Sequence, residues 1–371
     1  MRALPVAIAT AVLALAGMAA LGTVIVARMP DWLVAPATPR AKPSAPRYFA
    51  RDPRAMELAE RIAEHASLDP QWTRQAVGAA RAVEPIKQLV LPAPRAHARK
   101  NWQAYRARFV EPIRIRTGVR FWQENATALE RAEAEYGVPA SIIAGVLGME
   151  TLWGQQTGRI RVLDALVTLA VEFPEAHPRA AERRAYFIAE LEQFLQLMHA
   201  QGTDPREPRG SYAGDMGLPQ FMPSSWAQYG VDFDHDGAID LWSASDAIGS
   251  VANYLKAHGW SAGQPVYCAT DLATTPSSSL ATGGLQPMHT MTALEEHDIH
   301  LQSDCAQRLS PDTPLALVEL ENRERPSTWI AATGNLRALT RYNPSRYYAM
   351  AVTKLGTAVQ AAAMETKLPA Q

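Results

Sequence analysis

The segment from Pro139 to Gly154, PASIIAGVLGMETLWG, constrains this chain most, because its apolar stripe must be buried and yet carries an acid. Pro139 stands where a helix starts and Gly154 where one stops. Ile143, Leu147 and Glu150 recur at i, i+4 and i+7, so Glu150 emerges from the buried face near the helix C-terminus. Partial burial and the negative helix end both disfavour a carboxylate and raise its pKa, which is what a general acid requires. Spacing alone equally permits an ordinary ion pair with Arg159 or Arg161.

The composition supplies a body to bury that helix in. At roughly 100 to 200 residues per domain, 371 residues make two or three domains. A hydrophobic fraction of 47% with 20% charged residues excludes collagen-like, coiled-coil and wholly disordered chains. Lys plus Arg number 36 against 37 Asp plus Glu, so no global cationic field gathers nucleic acid, which is excluded as a partner.

Residues 4–27 carry no charge and are flanked by Arg2 and Arg28, the pattern of an export signal. The stretch is long enough to remain as a membrane anchor, and Ala14-Leu15-Ala16 before Gly17 also reads as a cleavage site. No Cys lies near it, so a lipid-modified N-terminal Cys is excluded. The proline-rich residues 29–48 favour an extended tether. Cys268 and Cys305 stand far downstream; in an exported protein they suggest one disulfide, with two unrelated buried thiols as the alternative.

From about residue 51 to 260 apolar positions recur at helical spacing. Within this region Arg95, Arg99, Lys100, Arg106, Arg108, Arg114, Arg116 and Arg120 face one acid, Glu111, and form either a solvated face or a surface for an anionic polymer. Between about 261 and 335 the texture turns to Thr, Ser, Gly and short β-prone runs such as 265–267 and 315–320. Helical spacing returns at Tyr348, Met350, Ala351, Leu355 and Val359, so the tail packs back on the helical body.

The run GSYAGDMGLPQFMPSSW at 210–226 mixes glycines, prolines, aromatics, Gln220 and hydroxyls, a poor core element and a good cleft wall for sugars. Together GMETLWG at 148–154, this run, and DAIGSVANYLKAHGW at 246–260 resemble the lytic murein transglycosylase B family. The resemblance covers about residue 50 to the C-terminus and implies an α+β, mainly α fold: a lysozyme-like helical core with an additional helical domain and a small β-rich domain. The division it suggests is 1–28 signal peptide or anchor, 29–48 linker, 49–135 helical domain and 136–260 catalytic core. Residues 261–335 then form the β-rich domain, and 336–371 return to the core.

The activity implied is cleavage of the MurNAc-β-1,4-GlcNAc bond of peptidoglycan without water, leaving a 1,6-anhydro end, in the bacterial periplasm. Glu150 is the single acid, then base. By the same resemblance Ser211, Gln220, Phe221, Tyr254, Tyr342, Asn343 and Tyr348 are cleft residues, and Tyr105 and Tyr186 hold outer sugars. Arg183 and Arg184 resemble the family's arginine pair for stem-peptide or sugar contacts, displaced by one residue from its pattern. Asp215 stands where the family usually has Ala, and could serve as base in a hydrolytic muramidase; a non-catalytic peptidoglycan-binding scaffold is a further alternative. Cell-wall synthesis or remodelling proteins, and the inner membrane if residues 4–27 stay uncleaved, are the further partners implied.

Asp232, Asp234, Asp236, Gly237 and the Ala238 carbonyl begin a loop as an EF-hand does. Position 12 is Ser243 rather than Glu, and the resemblance supports a lengthened loop closing on Asp246. A structural Ca2+ is implied, with Na+ a weaker occupant of the same oxygens. No organic cofactor is implied, and no His and Cys grouping suits zinc.

Overall fold

The structure, a computed structural model, describes residues 46–92, 100–272, 275–276, 280 and 285–366. The uncharged segment 4–27, residues 29–45 of the tether, and Arg95 and Arg99 of the basic run lie outside the described residues. Among the described residues are fifteen α-helices and six strands. The chain begins with α1 (Pro53–Ala66), α2 (Pro70–Gly78), α3 (Glu84–Leu89), α4 (Trp102–Phe109), α5 (Pro112–Glu124), α6 (Ala126–Tyr136) and α7 (Ala140–Thr151). It continues through β1 (Ile160–Arg161), α8 (Val162–Val171), α9 (Ala180–Ala200), β2 (Arg209–Gly210), α10 (Pro223–Tyr229) and α11 (Ala244–Ala257). Then follow β3 (Tyr267–Leu272), α12 (Met291–Glu295), β4 (Ile299–Leu301), α13 (Ser303–Ala306), β5 (Ala316–Asn322), β6 (Arg325–Ala332), α14 (Gly334–Tyr342) and α15 (Arg346–Glu365).

Contacts divide the chain into two compact units, the first joining 46–92 with 163–207 and the second joining 100–162 with 208–366. This grouping cuts across the contiguous segments 49–135 and 136–260. The reason is physical: helical periodicity reports which face of a helix is covered, not which other helix covers it.

In the first unit α1 and α2 each begin at an Asp-Pro pair. Asp52 and Asp69 accept the N–H of Arg54 and Trp72, and the prolines fill first-turn positions that need no donor. Glu172 then gathers Arg47 at 2.7 Å, Lys87 at 3.2 Å and Arg54 at 3.4 Å. Phe187, Leu191, Phe194 and Leu195 are the buried face of α9.

In the second unit β1 pairs antiparallel with β2, and the Val162 N–H donates to Pro208 O at 3.0 Å. The chain therefore leaves this unit and re-enters it at one place. Helix α7 is buried along nearly its whole length, and α15 lies along it. Their backbones approach closely: a Cβ at Gly145 would stand 2.4 Å from Val352 O, and one at Gly356 only 1.8 Å from Ser141 O. The sheet runs β4-β3-β6-β5, wholly antiparallel. Cys268 on β3 is disulfide-bonded to Cys305 in α13, with Cα atoms 5.6 Å apart, beside a core of Leu294, Ile299, Leu317 and Trp329. Of the two arrangements open to these cysteines, the pair is the one that forms.

The close approach of α7 and α15 makes a simple stability prediction. Gly356→Ala should destabilise by about 1–3 kcal/mol through overpacking, read as a lower urea midpoint. Gly334→Ala, where an added Cβ meets nothing within 4 Å, should change stability by no more than about 0.5 kcal/mol.

Candidate active site

Glu150 lies in the last turn of α7 and keeps partial solvent access. The helix ends sharply because Leu152, Trp153 and Gly154 are all left-handed, with φ of 52°, 53° and 87°. Two such residues in a row, neither of them glycine, cost on the order of 1–2 kcal/mol each, so the surroundings must hold them. Trp153 folds back under the helix, its N–H donating to Leu147 O at 3.1 Å and its Nε1 to Ala144 O at 2.9 Å. The ring occupies space that only glycine leaves open at positions 148 and 118. Thr151, wholly buried, donates to Leu218 O at 2.9 Å and so fixes the helix end to the 210–226 loop.

The Glu150 carboxyl accepts a hydrogen bond from the Tyr348 hydroxyl at 2.5 Å. That partner takes the place of the arginine pairing that spacing had left open. Burial pushes the Glu150 pKa from an ordinary 4.5 up to about 7; the Tyr348 hydrogen bond opposes the rise and the Asp215 charge adds to it. Burial also holds the Tyr348 and Tyr342 phenols well above their ordinary value, and the Glu150 charge reinforces both. Tyr105, on α4, is raised by the same two causes in the same order, which places its phenol within electrostatic reach of Glu150.

Tyr342, whose phenol feels the Glu150 charge, belongs to an aromatic cluster. Phe221, Tyr254 and Tyr342 form an aromatic trio with ring centroids 4.9–5.8 Å apart. Tyr342 donates to Pro219 O at 2.5 Å and Tyr254 to Arg341 O at 2.8 Å, so two of the three rings are pinned by backbone carbonyls. Gln220 takes a left-handed φ of 53° and turns its amide nitrogen toward Gly217 O at 2.9 Å and Thr157 O at 3.2 Å. The Ser211 hydroxyl donates to the Asp215 carboxylate and accepts the Ala213 N–H at 3.0 Å, so it belongs to its own loop. Asn343 is exposed at the C-terminus of α14.

Tyr186, Arg183 and Arg184 belong to the first unit. There the Arg183 guanidinium covers the Tyr186 ring at 4.8 Å, and Arg184 pairs with Glu175.

The acidic loop also lies in the second unit. Asp232, Asp234 and Asp246 offer oxygens that all fall within 4.8 Å of one another. The Asp232 carboxylate accepts the N–H groups of Asp236 at 3.1 Å and Gly237 at 3.0 Å, and Gly237 has a φ of 95°. Asp246, buried in the first turn of α11, accepts from Phe233 N and Asp240 N, both at 2.7 Å. Asp236 instead turns Oδ1 to the Ala238 N–H at 2.9 Å. Phe233 anchors the loop, with the Arg131 guanidinium 3.7 Å from its ring centroid and Gly249 so close that a Cβ there would meet the ring at 2.5 Å. An all-oxygen set of converging carboxylates fits a hard cation such as calcium.

Residues 51–357 match the model of the transglycosylase SLT domain. The chain belongs to this family. It is similar to membrane-bound lytic murein transglycosylase B of Escherichia coli strain K12, 36% identical over 330 residues and 85% of each chain. It is also similar to the solved E. coli lytic transglycosylase SLT35 in complex with calcium, at 35% identity and a TM-score of 0.72, covering 85% of this chain and 95% of that one. Pseudomonas aeruginosa SltB3, solved in complex with NAG-anhNAM-pentapeptide, is 27% identical with a TM-score of 0.69, covering 82% of this chain and 79% of that one. The protein is therefore a lytic transglycosylase that cleaves peptidoglycan, on a lysozyme-like, mainly helical fold.

One residue of this transglycosylase's site escaped the sequence reading. Arg114, one of the basic run, is buried, and its Nη1 donates to Gly148 O at 2.7 Å, placing a cation at the C-terminal end of α7. Its spacing was the available signal, since Arg114, Gly118 and Phe121 share one face at i, i+4 and i+7. Lys100, Arg106, Arg108, Arg116 and Arg120 are exposed, as either a solvated face or a surface for an anionic polymer requires.

The raised pKa of Glu150 makes folding depend on pH. Between 4.5 and about 7 the folded chain holds a proton that the unfolded chain has released, so stability falls as pH rises through that window. Glu150→Gln should therefore exceed wild type in stability by roughly 2–3 kcal/mol at pH 8, with the difference gone near pH 4, in denaturation measured across pH. Tyr348→Phe removes the donor that favours the ionised form, so the pH midpoint of peptidoglycan cleavage assigned to Glu150 should move upward.

Proposed function

We propose that Glu150 alone carries the chemistry, first as acid and then as base, on the MurNAc-β-1,4-GlcNAc bond. The observation that carries this reading is the withdrawal of the Glu150 carboxyl from water at the end of α7 beside the Tyr348 hydroxyl; burial pushes its pKa up to about 7, so both protonation states are populated near neutral pH. In the first step Glu150 gives its proton to the glycosidic oxygen, the C1–O bond breaks, and the muramoyl N-acetyl oxygen supports the developing positive charge. In the second step the Glu150 carboxylate takes the proton of the C6 hydroxyl, whose oxygen closes on C1. No water enters, and the product is a 1,6-anhydro end. The anhydro sugar in the SltB3 complex supports such a product for a relative.

The aromatic trio of Phe221, Tyr254 and Tyr342, together with Tyr105, Ser211, Gln220 and Asn343, would hold the glycan against this acid, and Tyr348 would set its ionisation. Tyr186 would serve an outer sugar, and Arg183 and Arg184 would contact a sugar or a stem peptide. Asp232, Asp234 and Asp246, with the Ala238 carbonyl and Asp236 as further oxygens, would hold a structural Ca2+, with Na+ as a weaker occupant. A bound ion would neutralise carboxylates that otherwise repel one another.

A periplasmic setting follows from the substrate and from the uncharged segment 4–27, as a soluble body or one tethered to the inner membrane. Among the described residues no helix is long and apolar enough to cross a membrane. Cell-wall synthesis or remodelling proteins are the partners such a setting offers.

The product tests the chemistry. Mass spectrometry of muropeptides released by wild type should find anhydro ends, lighter by one water than reducing ends, whereas reducing ends would make the enzyme a hydrolase with Asp215 as its base. Glu150→Gln should bind glycan strands and leave them uncut. Calcium at 100 times its Kd should stabilise wild type by about 2.7 kcal/mol in thermal unfolding, and Asp246→Ala should abolish that gain.

A further inference from the structure

The reaction leaves one cavity of the second unit unused. It holds about 420 Å3 and lies between one face of β3 and β6 and the helices α4 and α15. Trp102, Tyr267 and Trp329 are its aromatic walls, and Asp271 and Lys354 bring opposite charges to it. Trp102 links it to the active site, because its ring stacks on Tyr105 at 6.5 Å and Tyr105 in turn feels the charge of Glu150.

The lining decides between the two parts of a peptidoglycan strand. A sugar platform needs an open aromatic face, but Trp102 and Trp329 are only 3% and 8% exposed, so neither ring offers one. The glycan backbone is also uncharged while its lactyl carboxyls are amide-bonded to stems, whereas Lys354 is a partly buried cation. Its ammonium lies over the Tyr267 ring, 5.3 Å from the centroid, and forms no ion pair among the described residues. A cation so held asks for an anion. Thr328, which accepts from Asn322 Nδ2 at 3.1 Å, keeps its own proton for a further acceptor. Free carboxylates, small apolar side chains and amino groups occur together on the stem peptide, which hangs from the muramoyl sugar next to the bond that is cut.

We propose that this cavity receives the acidic stem peptide of the strand, with Lys354 meeting a peptide carboxylate and Asp271 a peptide amino group. The inference rests on the reading of Glu150 as the catalyst of strand cleavage and adds a determinant of substrate preference to it.

Steady-state cleavage of two substrates tests it: intact peptidoglycan strands, and the same strands stripped of stems by an amidase. With Lys354→Gln the KM for intact strands should rise about three- to tenfold at unchanged kcat, and more with Lys354→Glu, while Lys354→Arg stays near wild type. On stripped strands wild type and all three variants should be alike. Equal losses on both substrates, or no change on either, would overturn the stem-peptide site while leaving the role of Glu150 intact. A wild-type enzyme that cuts neither substrate would overturn both readings.

Discussion

The desolvation of one carboxyl is the interaction on which the second unit depends. Glu150 is drawn out of water because α7 is apolar on all sides and must be covered, and α15 does most of the covering. The same helix supplies Tyr348, whose hydroxyl limits how far the burial can raise the pKa. Packing and acidity are thus set by one element. A shift of α15 along α7 would alter both, and the glycines at 145 and 356 leave little room for such a shift, since backbone meets backbone there.

Two groups act on this acid with opposite signs, and a third meets the end of its helix. Asp215 favours the protonated form by charge, and its loop is held together by Ser211 and by backbone pairing. Tyr348 favours the ionised form. Arg114 neutralises the carbonyl end of α7 two residues away from Glu150. A carboxyl that must both give and take a proton needs this kind of balance, because a strong bias in either direction would stop one of its two steps.

Local pattern revealed some of this and sequence distance hid the rest. The apolar stripe of 140–151 and the acid at its end were legible from helical spacing, and so was the turn of α7 at Gly154. Tyr348 was not legible from spacing, because it is 198 positions from its partner, and the nearby arginines were the only candidates that spacing could offer. Family resemblance placed it in the cleft. The acidic loop behaved in the same way: Asp232 and Asp234 were readable from the loop pattern, whereas Asp246 needed the resemblance. The grouping of 163–207 with 46–92 left no mark on the sequence, since helical spacing shows that a face is covered and not which helix covers it. Arg114 looked like one surface base among eight until its face of α5 was known to be covered.

The link between α7 and α15 also governs the order in which the protein can form. About 200 residues of chain separate α7 from the helix that covers it. At roughly 5–20 residues per second a ribosome needs on the order of 10–40 s to make that stretch, and for all of it α7 is an apolar helix without its main partner. The first unit is likewise closed only when 163–207 has followed 46–92. The first unit can close once residue 207 has emerged, but the second cannot complete itself before α15, so the acid acquires its raised pKa as one of the last events of folding. Until α15 is in place the apolar α7 lacks its main cover and Glu150 lacks its Tyr348 partner.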